Sequence, residues 1–159
     1  MSLKIRPISA SDRTVLLQIL ENTPEFKPSE ITVAREVIDS CLNGGKSSGY
    51  LILIAVDDGE IAGYICYGPT PLTNGTWDIY WEVVARGKRG AGIGGSLIKA
   101  AEKEIRKSKG RLALIETSSI PAYGKTRQFY NRHGYEEIAR VTDFYEYGDD
   151  KLILQKKFK

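Results

Sequence analysis

Residues 86–95, Arg-Gly-Lys-Arg-Gly-Ala-Gly-Ile-Gly-Gly, hold five glycines and three cations between a strand-like stretch and a helix-like one. Before them, residues 76–84 (Thr-Trp-Asp-Ile-Tyr-Trp-Glu-Val-Val) are rich in aromatic and β-branched side chains, which favour a strand. After them, Leu97, Ile98, Ala101 and Ile105 recur at helical spacing, with Lys99, Lys103 and Lys107 elsewhere on the turn. A strand that turns through glycines into an amphipathic helix commits the chain to an α/β arrangement. It also makes an anion cradle. Glycines let backbone N–H groups converge on one point, the helix N-terminus adds partial positive charge, and Arg86, Lys88 and Arg89 add full charges.

The rest of the chain supplies the layers around this unit. Residues 3–7 read as a short strand, and Ser9-Ala-Ser-Asp12 offers caps for a helix carrying Val15, Leu16, Ile19 and Leu20 that stops near Pro24. Ser29 is placed to cap a second helix with Ile31, Ala34, Val37, Ile38, Cys41 and Leu42 on one face, ended by Gly44-Gly45. Residues 50–56 and 61–67 form a hairpin around Asp57-Asp-Gly-Glu60. Residues 112–115 restart a buried strand that runs into Glu116-Thr-Ser-Ser119. A helix around 126–133 is capped by Gly134, and strands at 135–147 and 152–158 close the chain. The order β-αα-βββ-α-β-α-ββ predicts a single α/β (α+β) domain over residues 1–159, built on a mixed central sheet.

Composition removes several function classes. The net charge of +3 over 159 residues is too small to argue for nucleic-acid or membrane binding by bulk charge. Its distribution is uneven: −5 over residues 1–85, +7 over 86–111 and +1 over 112–159. No apolar run reaches the roughly 18 residues of a membrane span, and the first residues lack a signal-peptide centre, so a cytoplasmic protein is expected. Cys41 and Cys66 stand 25 residues apart and are expected to be buried, reduced thiols. His133 is the only histidine, so a multi-histidine metal centre is ruled out and a Ser-His-Asp triad would rest on that one residue. A surface position at a helix end is expected for it.

Three readings of the glycine loop compete. A phosphate-binding P-loop needs Gly-Lys-Ser/Thr at its end, which is missing here. Gly90, Gly92 and Gly95 satisfy the dinucleotide pattern Gly-x-Gly-x-x-Gly, with Glu116 about 20 residues on. Five residues separate the strand from its first glycine, however, and the chain has room for only one βαβ unit. The third reading is a resemblance. Arg89-Gly-Ala-Gly-Ile-Gly94 is similar to the Arg/Gln-x-x-Gly-x-Gly/Ala pyrophosphate loop of the GCN5-related N-acetyltransferase (GNAT) family, and Phe129-Tyr130-Asn-Arg-His-Gly134-Tyr135 resembles that family's Phe-Tyr-x-x-x-Gly-Phe/Tyr signature. The preceding strand ending in Val83-Val84 and the strand from Leu112 stand in the family's order. Ala85-Arg86 replaces the more usual Asp-Pro, and Tyr123 stands where many members carry a cofactor-contacting Asn.

The resemblance implies a mixed central sheet flanked by helices and acetyl transfer from acetyl-coenzyme A, as co-substrate and without a metal, to an amine. Arg89, Gly90, Gly92, Gly94, Gly95 and Tyr123 would hold the cofactor. Val84 would offer main-chain contacts to pantetheine and an N–H to the thioester oxygen, and Tyr130 would protonate the departing thiolate. The acceptor amine must lose a proton, and strict alternation along residues 76–84 puts Asp78, Tyr80, Glu82 and Val84 on one face unless a bulge intervenes. Asp78 falls where some family members keep a proton-accepting Glu; Glu116 is the second candidate and Glu82 the third. Trp77, Trp81, Tyr64, Tyr67 and Tyr80 are candidates for an acceptor pocket wall. The expected acceptor is the primary amine of a small metabolite or amino acid-like molecule. Protein N-termini or lysines, or a non-catalytic acyl-coenzyme A sensor, are the alternatives, and a homodimer through the closing strands is compatible with the resemblance.

Overall fold

The structure, a computed structural model, describes residues 2–158. Strands β1 (Leu3–Pro7), β2 (Leu51–Asp57), β3 (Glu60–Pro69), β4 (Thr76–Val84), β5 (Leu112–Ser118), β6 (Glu136–Glu146) and β7 (Asp149–Lys157) form one mixed sheet in the order β1-β2-β3-β4-β5-β7-β6. Helices α1 (Arg13–Glu21), α2 (Pro28–Gly44), α3 (Ile93–Lys107) and α4 (Gly124–Arg132) complete the predicted element order. Only β4 and β5 run parallel, because α3 is the crossover between them.

The sheet divides the core in two. On one face Leu16 and Leu20 of α1 and Ala34, Ile38 and Cys41 of α2 pack on Ile52, Ile54, Tyr64, Cys66 and Val83. On the other, Leu97, Ile98, Ala101 and Ile105 of α3 pack with Tyr130 and Tyr135 on Ile79, Ala113, Ile115 and Leu154. Each fully buried Leu or Ile contributes about 1.5–3 kcal/mol by leaving water. Cys41 and Cys66 are both buried and free, as expected. No helix of the described residues is long and apolar enough to cross a membrane.

Two local expectations are corrected. Ser29 does not cap α2: Pro28 opens the helix, where its missing N–H costs nothing, and the Glu30 carboxylate accepts the Lys27 N–H at 2.9 Å. The aromatic cluster is split by the sheet, with Tyr67 and Trp77 in the α3 core and Tyr64, Tyr80 and Trp81 on the α1/α2 face.

Asp12, at the start of α1, is buried and takes both guanidinium nitrogens of Arg6, at 2.8 and 2.9 Å. The Arg6 hydrogen bonds hold its carboxyl below the usual carboxylate range. A carboxyl with a depressed folded value adds stability that is complete above its unfolded pKa near 3.9 and is lost as the pH falls through the folded value. Asp12→Asn is therefore expected to melt below wild type at pH 7, with the difference closing toward pH 2 in a thermal-denaturation series.

Candidate active site

Strands β4 and β5 pair only through residues 76–79 and 112–115. Beyond Ile79, β4 continues to Val84 bonded to β3 alone, while β5 continues to Ser118 bonded to β7 alone. The sheet therefore forks, and each prong keeps one edge of main-chain N–H and C=O groups without a strand partner. An extended amide-bearing chain can bond to such an edge.

A bulge sits at the root of the fork. Cys66 of β3 faces Trp81 and Tyr67 faces Ile79, leaving Tyr80 as the extra residue on β4. One inserted residue reverses every side chain beyond it. The expected common face of Asp78 and Glu82 is thus overturned. Asp78 and Tyr80 lie on the α1/α2 side, whereas Glu82 and Val84 turn toward α3.

Past the tip of β4 the chain passes through a 3₁₀ turn at Arg86–Lys88 into the glycine loop. Gly90 and Gly92 have φ of +85° and +79°, values open to glycine, and no atom lies within 4 Å of a Cβ built on either. Gly92 caps α3, and the first intrahelical bond runs from Ser96 N–H to its carbonyl, so the N–H groups of Ile93, Gly94 and Gly95 are free to point outward. Gly94 is small for packing reasons: a Cβ there would lie 3.3 Å from both Glu82 Oε2 and the Phe129 ring tip. Gly95 is crowded by the His133 ring, which also lies 4.6 Å from Phe129, centre to centre. His133 stands at the end of α4 as expected but is half-buried, and burial lowers its pKa where a helix dipole alone would raise it.

Arg89 folds back over the fork. Its Nε donates to the Val84 carbonyl at 3.3 Å, and its Nη1 lies 3.1 Å from Glu25 in the segment between α1 and α2. That ion pair lacked any local signal in the sequence, since its partners are 64 positions apart. Tyr123 ends a 3₁₀ turn before α4, where burial and the charges of Glu30, Asp149 and Glu25 raise its phenol. Glu25, the partner of Arg89, is one of those charges.

The two leading carboxylates lie on the α1/α2 face, on the two strands of the fork. Asp78 Oδ2 accepts the Thr70 hydroxyl at 2.7 Å, and the exposed Glu116 pairs with Lys151 Nζ at 3.1 Å. Between them stands Tyr80, whose phenol is pushed up to about 12 by burial, Asp78 and Glu116. Tyr145 of β6 joins from the far side, raised by burial and by Glu116 and Asp149. The sequence reading gave neither Tyr145 nor Asp149 a role in the site, since they stand among the residues of the closing strands and their turn.

On the opposite face Tyr130 is 6% exposed, packed edge-on to Phe129 and Tyr135. Burial and the nearby Glu82 carboxyl push its phenol far above the ordinary value. The site thus combines an anion cradle, a forked sheet with free main-chain edges, two carboxylates on one face and a buried phenol on the other.

The acetyltransferase (GNAT) domain family model matches residues 48–137, more than half of the chain. An uncharacterised N-acetyltransferase of Methanocaldococcus jannaschii is 32% identical over 107 residues, 65% of this chain and 64% of that relative, so the match spans just under two thirds of its length. A solved GNAT-family protein from Desulfovibrio desulfuricans is 38% identical, with a TM-score of 0.94 over 98% of this chain and 99% of that one. The PaiA N-acetyltransferase of Thermoplasma acidophilum, solved in complex with coenzyme A, shares the fold at 19% identity, with a TM-score of 0.76 over 99% and 100% of the two chains. With the family's loop and signature segments set at the fork of its sheet, this chain belongs to the GNAT acetyltransferase family.

Proposed function

We propose that the chain transfers the acetyl group of acetyl-coenzyme A to the primary amine of a small acceptor by direct attack. The observation that carries this is the fork between β4 and β5 opening directly beneath the glycine cradle. A diphosphate seated on the loop amides would direct an extended pantetheine arm along the free edge of β4. The open space at Gly90 and Gly92 and the unpaired β4 edge both suit this cofactor.

An alkyl ammonium titrates near 10.4, so freeing its nitrogen at pH 7 costs roughly 4–5 kcal/mol. Asp78 or Glu116 receives that proton through water on the α1/α2 face. As the N–C bond forms and the C–S bond breaks, the Val84 main chain steadies the carbonyl oxygen and Tyr130 gives a proton to the sulfur. The carboxylates and tyrosines around Tyr80, Tyr123 and Tyr145 support a small, positively charged acceptor, since an anionic one would meet like charge there.

The test is release of free thiol from acetyl-coenzyme A across a panel of small amines, amino acids and peptides. Release with small amines is expected; tight cofactor binding without release for any acceptor would overturn the transferase reading in favour of a sensor. Arg89→Ala is expected to weaken coenzyme A binding by about 1–3 kcal/mol, roughly 5–150-fold. Equal affinity by calorimetry would remove Arg89 from the diphosphate site.

A further inference from the structure

On the α3 face the sheet is not covered to its edge. α3, the crossover between β4 and β5, lies over the middle, while β1 and β2 run on beyond it. A cavity of about 800 Å³ lies in the angle so formed, with Ile5, Leu51, Leu53, Tyr67, Trp77 and Ala100 as its apolar walls. Trp77 stands near the start of β4 and the glycine cradle follows the strand's end. The cavity therefore lies roughly 20 Å from Val84, at the far end of β4 from the opening of the fork.

The aromatic walls are held in place. Tyr67 is 2% exposed and Trp77 8%, and their rings stand 6.1 Å apart, centre to centre, at 31° to each other. Gly110, just after α3, makes room for the indole, since a Cβ there would lie 2.9 Å from Trp77 Cδ1. Two fixed rings beside aliphatic side chains make a surface for a flat apolar body, and the phenol and the indole N–H are the polar groups set into it. Pro7, Lys46 and Lys103, all exposed, bring the cavity out to solvent. A largely apolar pocket with a few polar groups is the form that takes a small molecule.

Charge selects among the molecules that would fit. Arg6, Lys46 and Lys103 line the cavity against one carboxylate, Glu104. Asp12 answers Arg6 at 2.8 Å and Lys107 answers Glu104 at 3.8 Å, so Lys46 and Lys103 have no carboxylate within 4 Å among the described residues. The two lysines come from different elements, the 3₁₀ turn at Gly45–Ser48 and α3. An amine entering here meets like charge, whereas an anion meets its complement. We propose that this cavity binds a small aromatic monocarboxylate, its ring against Tyr67 and Trp77 and its carboxylate at the Lys46 and Lys103 rim. The ring leaves water for apolar walls, and the carboxylate stays where water still reaches it, so binding buries no charge. The site is separate from the fork and stands whether or not the chain transfers acetyl.

The experiment titrates naphthylacetate, and naphthylacetamide as its uncharged match, into wild type, Ala100→Trp, Lys46→Glu and Lys103→Glu by calorimetry. Wild type is expected to take one equivalent of naphthylacetate with a Kd of about 1 mM or tighter, and the acetamide about fivefold more weakly. Ala100→Trp fills the cavity and should abolish binding of both. Lys46→Glu and Lys103→Glu should each weaken naphthylacetate about fivefold or more and leave the acetamide within about twofold. Saturating coenzyme A should leave the affinity for naphthylacetate unchanged. No binding to wild type, equal affinity for the two probes, or wild-type affinity for naphthylacetate in both lysine variants overturns the proposal. Displacement by coenzyme A overturns it too, because it places the probe at the fork. Should Ala100→Trp fail to fold, the two lysine variants, at exposed positions, decide the matter.

Discussion

Tyr130→Phe is expected to lower kcat by about 10²-fold or more while leaving coenzyme A affinity within about twofold. The reason lies in what the substitution keeps. The Tyr130 ring is buried between Phe129 at 5.3 Å and Tyr135 at 6.2 Å, centre to centre, and phenylalanine fills the same volume in the same edge-on contacts. Only the hydroxyl leaves, so the packing of the ring is kept. On the proposed mechanism the loss falls on the transition state, where the departing thiolate needs a proton at once. Steady-state kinetics with a saturating amine, paired with calorimetry on coenzyme A, checks both halves. Unchanged kcat would remove Tyr130 from the mechanism, and a parallel collapse of affinity would make it a binding residue.

The readable part of this fold is the part written in local chemistry. β1 and β4 fall on the expected residues because turn formers and a glycine loop bound them, and Gly134, at φ +92°, ends α4 as its position implied. The glycine cradle is legible for the same reason: its conformation and charge come from adjacent residues. The bulge at Tyr80 is different. It arises from how β4 meets β3, and nothing in residues 76–84 records the partner's register. That single unpaired residue sends Asp78 and Glu82, and likewise Trp77 and Trp81, to opposite faces. The Arg89–Glu25 pair is hidden likewise, since it depends on where the segment between α1 and α2 crosses the loop. Glu82 did carry a signal, a lone carboxylate in Trp81-Glu-Val-Val84, but strict alternation assigned it to the wrong side.

Lys156→Met is expected to be the costliest of the substitutions for stability, and the cause is the helix that presents the cradle. Glu102 of α3 is 3% exposed, and two donors hold it through three hydrogen bonds: Lys156 Nζ at 2.9 and 3.0 Å from its two oxygens, and the Tyr135 hydroxyl at 2.8 Å. Lys156 comes from β7, so this network ties α3 to the strand that supports the free prong of β5. Removing the cation strands a buried carboxylate with one neutral donor. Breaking a buried pair in this way costs about 3–5 kcal/mol, and the partial exposure of Lys156 puts the expected value near the lower end. For a chain of this length about 3 kcal/mol lowers the melting temperature by roughly 6–12 °C. The double variant Glu102→Leu with Lys156→Met should recover most of that loss, because it removes the charge along with its partner and leaves apolar groups in an apolar place. A single Lys156→Met that melts within about 2 °C of wild type would show that the Tyr135 hydroxyl alone suffices for Glu102. Coenzyme A affinity measured well below the transition should stay at the wild-type level in both variants, since none of these side chains faces the fork.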